Sequence, residues 1–111
     1  MAMILFAFDC DGTLNVSGGP VAISILTALT ALGHKVVIVS PSAACKPLGF
    51  THVDSADRLV NLKRVKELYP ECERWVYVSD NAGDPELAAQ AGFEYVHPSN
   101  FGEVLRPLLP L

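Results

Sequence analysis

The chain opens on an apolar run, Ile4 to Phe8, that stops at Asp9. A short apolar stretch without polar alternation predicts a strand buried on both faces. Lys35 to Val39 (Lys-Val-Val-Ile-Val) repeats the pattern with β-branched residues, and Trp75 to Val78 does so again. Shorter strands are expected at Phe50 to Val53 and Phe93 to Val96. A helix is predicted over Val21 to Leu32, opened by Pro20 and closed by Gly33. A second runs from a cap at Ser55 or Asp57 to Tyr69, where Pro70 stops it. A third covers Pro85 to Ala91 and ends at Gly92; a last helical piece spans Phe101 to Arg106, before the tail Pro107 to Leu111. Strands alternating with helices predict an α/β fold, a three-layer sandwich around a mostly parallel sheet of about five strands. No repeat, low-complexity tract or linker interrupts it, so residues 1–111 read as one domain.

Composition sharpens this picture. Hydrophobic residues make up 50% of the 111 positions and charged ones 18%, which excludes disorder. A net charge of −4 argues against nucleic acid or an anionic membrane as partner. The apolar part of the uncharged stretch between Asp11 and Lys35, Val21 to Leu32, is too short for a hydrocarbon core that needs about 20 residues. Met1 to Phe8 lacks a basic flank and runs into two aspartates, unlike a signal peptide. The expectation is a soluble, cytoplasmic protein. Its three cysteines, Cys10, Cys45 and Cys72, are too few and scattered for a disulfide framework or a zinc site, so they read as reduced thiols.

Two pairs of carboxylates stand where such sheets bind ligands, beyond the carboxyl ends of strands. Asp9 and Asp11 follow the first strand; Asp80 and Asp84 follow the strand that ends at Val78. If these strands are adjacent and parallel, all four converge. Like charges about 4 Å apart repel by roughly 4 kcal/mol at an effective dielectric of 20. Such a cluster calls for protonation or a cation, and an all-oxygen carboxylate set suits Mg²⁺, with substrate phosphate completing the shell.

These residues carry a resemblance. Asp9-Cys10-Asp11-Gly12-Thr13-Leu14 matches the first signature of the haloacid dehalogenase-like superfamily, a strand followed by Asp-x-Asp-Gly-Thr. Val36-Val37-Ile38-Val39-Ser40 resembles its second, and Val76-Tyr77-Val78-Ser79-Asp80-Asn81-Ala82-Gly83-Asp84 its fourth. The resemblance spans residues 3 to 97 and implies a Rossmann-like hydrolase domain. It implies Asp9 as nucleophile forming an aspartyl-phosphate, and Asp11 as general acid–base. Ser40 would donate to a phosphate oxygen. Asp80 would hold Mg²⁺ with Asp9 and the main-chain carbonyl of Asp11, and Asp84 would support that shell. Gly12 would let the chain turn so that backbone amides face the phosphate. Thr13 and Asn81 would also contact substrate.

The third signature is a cation near the start of the helix before the fourth motif. Arg58 lies 22 residues before Asp80 (80 − 58) and Lys63 lies 17 (80 − 63), and Arg58 fits the family spacing. Lys63, Arg64 and Lys66 read as a solvated helix face. Ser79, where many relatives carry Gly, and Pro41 after Ser40 depart from the pattern.

Asp11 favours phosphomonoester hydrolysis within the superfamily, because dehalogenating and phosphonate-cleaving members lack it. Neither Leu14–Ser40 nor Pro41–Asp57 has room for a cap domain, so the chain resembles capless members with an open site. A phosphomutase, whose intermediate needs a lid, is disfavoured. Ser24, Thr27, Ala28 and Ala31 form an uncharged helix face opposite Ile25, Leu29 and Leu32. That face suits either a second copy of the chain, giving a homo-oligomer, or cover by the C-terminal tail. His34 reads as a helix-end cap, His52 and His97 as structural histidines, and Trp75 and Tyr77 as core or subunit contacts. Cys10 should point away from its flanking aspartates. Two other readings compete: a phospho-acceptor receiver domain, with Asp54 as acceptor on a middle strand, and a non-catalytic relative used for binding or assembly.

Overall fold

The expected apolar runs become β1 (Ile4–Phe8), β2 (Lys35–Val39), β3 (Thr51–Val53), β4 (Arg74–Val78) and β5 (Glu94–Val96). Between and after them lie α1 (Ile23–Ala31), α2 (Arg58–Leu68), α3 (Asp84–Ala91) and α4 (Phe101–Leu105). The computed structural model describes residues 3–108; Met1, Ala2 and the tail residues Leu109 to Leu111 lie outside them. All five strands pair in parallel, in the order β3–β2–β1–β4–β5. Phe8 stands opposite Ile38 on one side and Val78 on the other, so the ends of β1, β2 and β4 share one edge.

β1 is buried at every position, and its alternate residues feed two cores, as period-two side-chain direction requires. Ile4, Phe6 and Phe8 pack with Leu26 and Leu29 of α1 and with Phe101 and Leu105 of α4. Leu5 and Ala7 pack with Leu62 and Val65 of α2, Tyr77, and Ala88 and Ala91 of α3. The result is a three-layer α/β sandwich. Phe101 meets Phe6 and Phe8 edge-on, with centroids 5.8 and 5.3 Å away; each such pair contributes about 0.5–1.5 kcal/mol beyond its buried area.

Local chemistry sets the element ends. Asp57 caps α2 by accepting from the Val60 amide at 3.2 Å, which resolves the choice between Ser55 and Asp57. Gly92 takes the left-handed conformation that ends α3 (φ 80°). α1 starts at Ile23 rather than at Val21, because the Val21 amide is drawn into the preceding loop by the Thr13 carbonyl (3.0 Å). Three 3-10 segments went unforeseen: Asn15–Ser17, Ala43–Leu48 and Pro98–Asn100. His34 does not cap a helix: its Nδ1 accepts the Ile4 amide at 3.1 Å, and its ring stands edge-on to Phe6. On α1, Ser24, Thr27 and Ala31 are exposed, while Ile25 packs against the core cluster, as do Val104 and Leu108 near the C-terminal end of the described chain. Among the described residues no helix is long and apolar enough to cross a membrane.

One expectation about the cysteines is overturned. Cys10 and Cys45 form a disulfide, with Cα atoms 6.2 Å apart and a sequence separation of 35. Sequence scatter is no guide here, because β1 and β2 are neighbours and their exit loops meet. Cys72 remains a buried free thiol, its pKa raised by that burial. Loop-closure entropy for a 35-residue link predicts a stabilisation of about 3–4 kcal/mol. Urea unfolding with and without a thiol reductant should differ by that amount, and a difference below about 1 kcal/mol would contradict it.

Candidate active site at the carboxyl edge of the sheet

The chain runs outward from β1 through β2 to β3, then crosses back to β4 and β5. Connections therefore leave in opposite directions from β1 and β4, which opens a crevice at their carboxyl ends. Asp9 emerges from β1 there, its amide held by the Val78 carbonyl of β4 at 3.0 Å. Asp80 and Asp84 follow from β4 and Ser40 from β2. Asp9, Ser40 and Asp84 are buried, while Asp11 and Asp80 are exposed at the rim.

A buried polar network lies under Asp9. Asn81 Nδ2 donates to Asp9 Oδ2 and to Asp84 Oδ2, each at 3.2 Å. The same Asp84 oxygen accepts from Ser79 Oγ at 2.6 Å and Tyr77 OH at 3.3 Å. Charge-assisted bonds of this kind fix a carboxylate in place. Asp84 is thus a support for Asn81, and Asn81 bridges it to Asp9. Burial raises the pKa of Asp9; the Cys10 amide and the Arg58 charge oppose this, and the charges of Asp80 and Asp84 add to it. Burial, reinforced by Asp84, also pushes the Tyr77 phenol upward.

Gly12 adopts φ 73°, and a Cβ there would overlap the Asp80 carboxylate. Only glycine admits Asp80 this close to the turn. The Gly12 amide, however, is spent on the Ser17 carbonyl (2.9 Å) and the Thr13 amide on the Cys10 carbonyl (3.2 Å). These two donors stabilise the loop itself, contrary to the expectation that they face a ligand. Thr13 Oγ1 is buried with no partner among the described residues. Asp11 Oδ1 accepts from the Ser17 hydroxyl and from Ser42 Oγ at 3.3 Å. Ser40 Oγ accepts the Ser42 amide at 3.1 Å, which leaves its own hydroxyl proton free to donate. The Ser40 carbonyl is anchored by His52 Nε2 at 2.6 Å.

Arg58 is the first residue of α2, exposed, and its charge partly opposes the rise that burial causes at Asp9. Lys63 is exposed further along the same helix. Lys66 is not part of a solvated face: its ammonium lies 4.6 Å over the Trp75 ring and 3.4 Å from the Gly92 carbonyl. Asp54 follows β3, which is an edge strand rather than a middle one, and pairs with Lys46 at 2.9 Å. That ion pair holds the Asp54 carboxyl below its ordinary range.

Among the described residues, no group of three or more His, Cys, Asp and Glu side chains is arranged to hold a metal. Asp84 explains part of this, since one of its oxygens already takes three hydrogen bonds. The Asp9 and Asp80 carboxylates remain, together with the main-chain carbonyl of Asp11. The Gly12 turn admits Asp80 beside it, and the Asp80 charge is felt at Asp9. Such a set fits Mg²⁺, which uses one or two carboxylates and otherwise keeps water and phosphate ligands.

Between β1 and α1, and between β2 and β3, the described chain holds only loops and 3-10 segments, so no inserted domain covers the crevice. A cavity of about 660 Å³ lies instead at the opposite edge of the sheet, lined by Thr27, Lys35, Phe50 and Tyr69 among others. Four positioning side chains escaped the sequence reading: Ser17, Ser42, Tyr77 and His52. The position of Ser42 two residues after Ser40 was the one visible signal; nothing in the sequence marked the others as positioning residues. No protein-family model matches the chain, and no curated protein is significantly similar to it.

The raised pKa of Asp9 has a direct consequence for stability. The folded chain binds this proton more tightly than the unfolded chain, whose value is near 3.8, so stability falls as pH rises through the window between the two. Asp9→Asn removes that loss. In metal-free buffer the variant should melt higher than the parent at pH 7, and the gap should close below about pH 3.8. An Asn variant that melts lower at pH 7 would contradict the burial argument.

Proposed function

We propose that this protein is a Mg²⁺-dependent phosphatase of the haloacid dehalogenase-like type, hydrolysing a small phosphomonoester through an aspartyl-phosphate. The observation that carries the reading is the meeting of Asp9 with Asp80, Asn81 and Asp84 at the switch point between β1 and β4. Asp9 would attack phosphorus as the ester P–O bond breaks, and the protonated Asp11 would give its proton to the departing oxygen. Asp11, now a carboxylate, would then take a proton from water. That water would attack the same phosphorus, release inorganic phosphate and restore Asp9.

Mg²⁺, when bound, supplies positive charge against the Asp9 and Asp80 carboxylates and the phosphoryl oxygens. Asp9, Asp80 and the Asp11 carbonyl would hold it, with Asp84 acting through Asn81. Ser40 would donate its hydroxyl proton to a phosphoryl oxygen, and Arg58 would clamp another from the rim. The engaged amides of Gly12 and Thr13 make those residues shapers of the turn, with Gly12 admitting Asp80.

The receiver reading is less well supported, because Asp54 sits beyond an edge strand and is tied to Lys46. The net charge of −4 fits a cytoplasmic enzyme of small substrates better than a nucleic-acid or membrane partner. The uncharged outward positions of α1 suit a second copy of the chain. A solution mass above the 11.9 kDa of one chain at micromolar concentration is expected, and a strictly monomeric mass would contradict it.

Turnover of an aryl phosphate tests the reaction. Asp9→Asn should abolish phosphate release while the protein stays folded; EDTA should silence the parent and Mg²⁺ restore it. Retained turnover in the variant would overturn the assignment. Arg58→Gln should raise KM about tenfold or more, the scale of a lost charged hydrogen bond, and Lys63→Gln should leave it within about twofold. The reverse ranking would move the phosphate clamp to Lys63.

A further inference from the structure

The Cys10–Cys45 disulfide joins two loops of the candidate site. Cys10 lies between Asp9 and Asp11, and Cys45 lies in the 3-10 segment that follows Ser40 and Ser42. Both cysteines are buried, in the cluster that also contains Leu14, Val21 and Ile38. Besides the disulfide, the segment is held by the solvent-exposed Lys46–Asp54 ion pair, a weak tie at the surface, and by few apolar contacts. Ala43, Ala44, Lys46 and Pro47 are exposed, leaving Cys45 buried and Leu48 half-buried as its apolar attachments. 3-10 hydrogen bonds are poorly aligned, and a segment with few buried contacts opens at low free energy. Yet this segment is continuous with Ser42, whose hydroxyl reaches Asp11 at 3.3 Å and whose amide reaches Ser40 at 3.1 Å.

We infer that the Cys10–Cys45 disulfide is a thiol-responsive tether that holds the Ser42 loop against Asp11 and Ser40, so that its redox state regulates turnover at this site. The inference rests on the phosphatase reading for its activity readout, and on the loop geometry alone for its structural one. Because Cys10 and Cys45 are both buried, reduction follows local opening of this segment: an external thiolate, from a small thiol or a dithiol protein, then attacks one sulfur of the pair. The Sγ–Sγ bond breaks, the other cysteine leaves as a thiolate, and a second thiol of the reductant resolves the mixed disulfide. Two electrons and two protons pass to the protein, and the reductant ends as its own disulfide. A disulfide in a reducing compartment is usually of the sensing kind, which suits a cytoplasmic enzyme. Cys72 packs on the opposite face of the sheet, in the other core, so it cannot exchange with the pair without unfolding.

The experiment uses the full chain, poised with dithiothreitol or with its oxidised form. Three quantities are read: alkylatable thiols after denaturation, amide hydrogen exchange over residues 41–49, and Mg²⁺-dependent turnover of an aryl phosphate. The oxidised protein should yield one thiol and the reduced protein three. Reduction should lower turnover about tenfold or more, the scale expected when a catalytic group loses its positioning. It should also deprotect residues 41–49 while the strands stay protected, and reoxidation should restore both. Cys45→Ser should behave as the reduced parent in oxidising buffer, and Cys72→Ser should keep the full response. Three thiols in the oxidised protein, or equal protection of residues 41–49 in both states, would overturn the tether. Equal turnover in both states, in an active enzyme, would overturn the regulation. Absence of turnover in both states with a loop that still opens on reduction would sustain the tether and sink the phosphatase reading alone.

Discussion

Everything at the candidate site depends on forcing carboxylates together at the end of a buried parallel strand pair. β1 is fully buried and pairs along its whole length with β4, so the position of Asp9 beside the exit of β4 follows from core packing. The sheet imposes that proximity whether or not the charges tolerate it. Burial and the fields of Asp80 and Asp84 then raise the pKa of Asp9. A fold that raises a carboxyl pKa at one edge favours whatever neutralises it there; under the proposed function that species would be a cation with a phosphate.

The protein offsets this tension with hydrogen bonds. Asn81 divides its amide protons between Asp9 and Asp84, and Ser79 and Tyr77 saturate one oxygen of Asp84 from below. Asp84 and Asp80 therefore differ in kind. One is buried and committed to the network; the other is exposed beside Gly12 and, among the described residues, makes no side-chain hydrogen bond. Ser79, one of the two departures from the pattern the sequence resembles, acquires a role here, since its hydroxyl makes the shortest bond of the network.

The strands and the main helices were legible because they follow from apolar runs and their punctuation. β1 and β2 run over the predicted residues, Pro70 stops α2, and Gly92 ends α3. The convergence of Asp9 and Asp80 was legible only on the condition that their strands be neighbours, which pairing alone decides. Backbone detail was not legible. The amides of Gly12 and Thr13 turn inward: a 3-10 segment at residues 15–17 brings the Ser17 carbonyl to Gly12, and the tight turn brings the Cys10 carbonyl to Thr13. The disulfide was missed for a similar reason. Cys10 and Cys45 meet through strand order, and a one-dimensional spacing rule contains no strand order.

The central claim is that Asp9 becomes phosphorylated during turnover. It is tested most directly by quenching the enzyme during hydrolysis of a phosphomonoester, reducing any acyl-phosphate with borohydride, and mapping the modified residue by mass spectrometry. The account predicts conversion of Asp9 to homoserine, dependent on Mg²⁺ and on substrate. Modification at Asp54 instead, or turnover with Asp9 unmodified at every quench time, would contradict it.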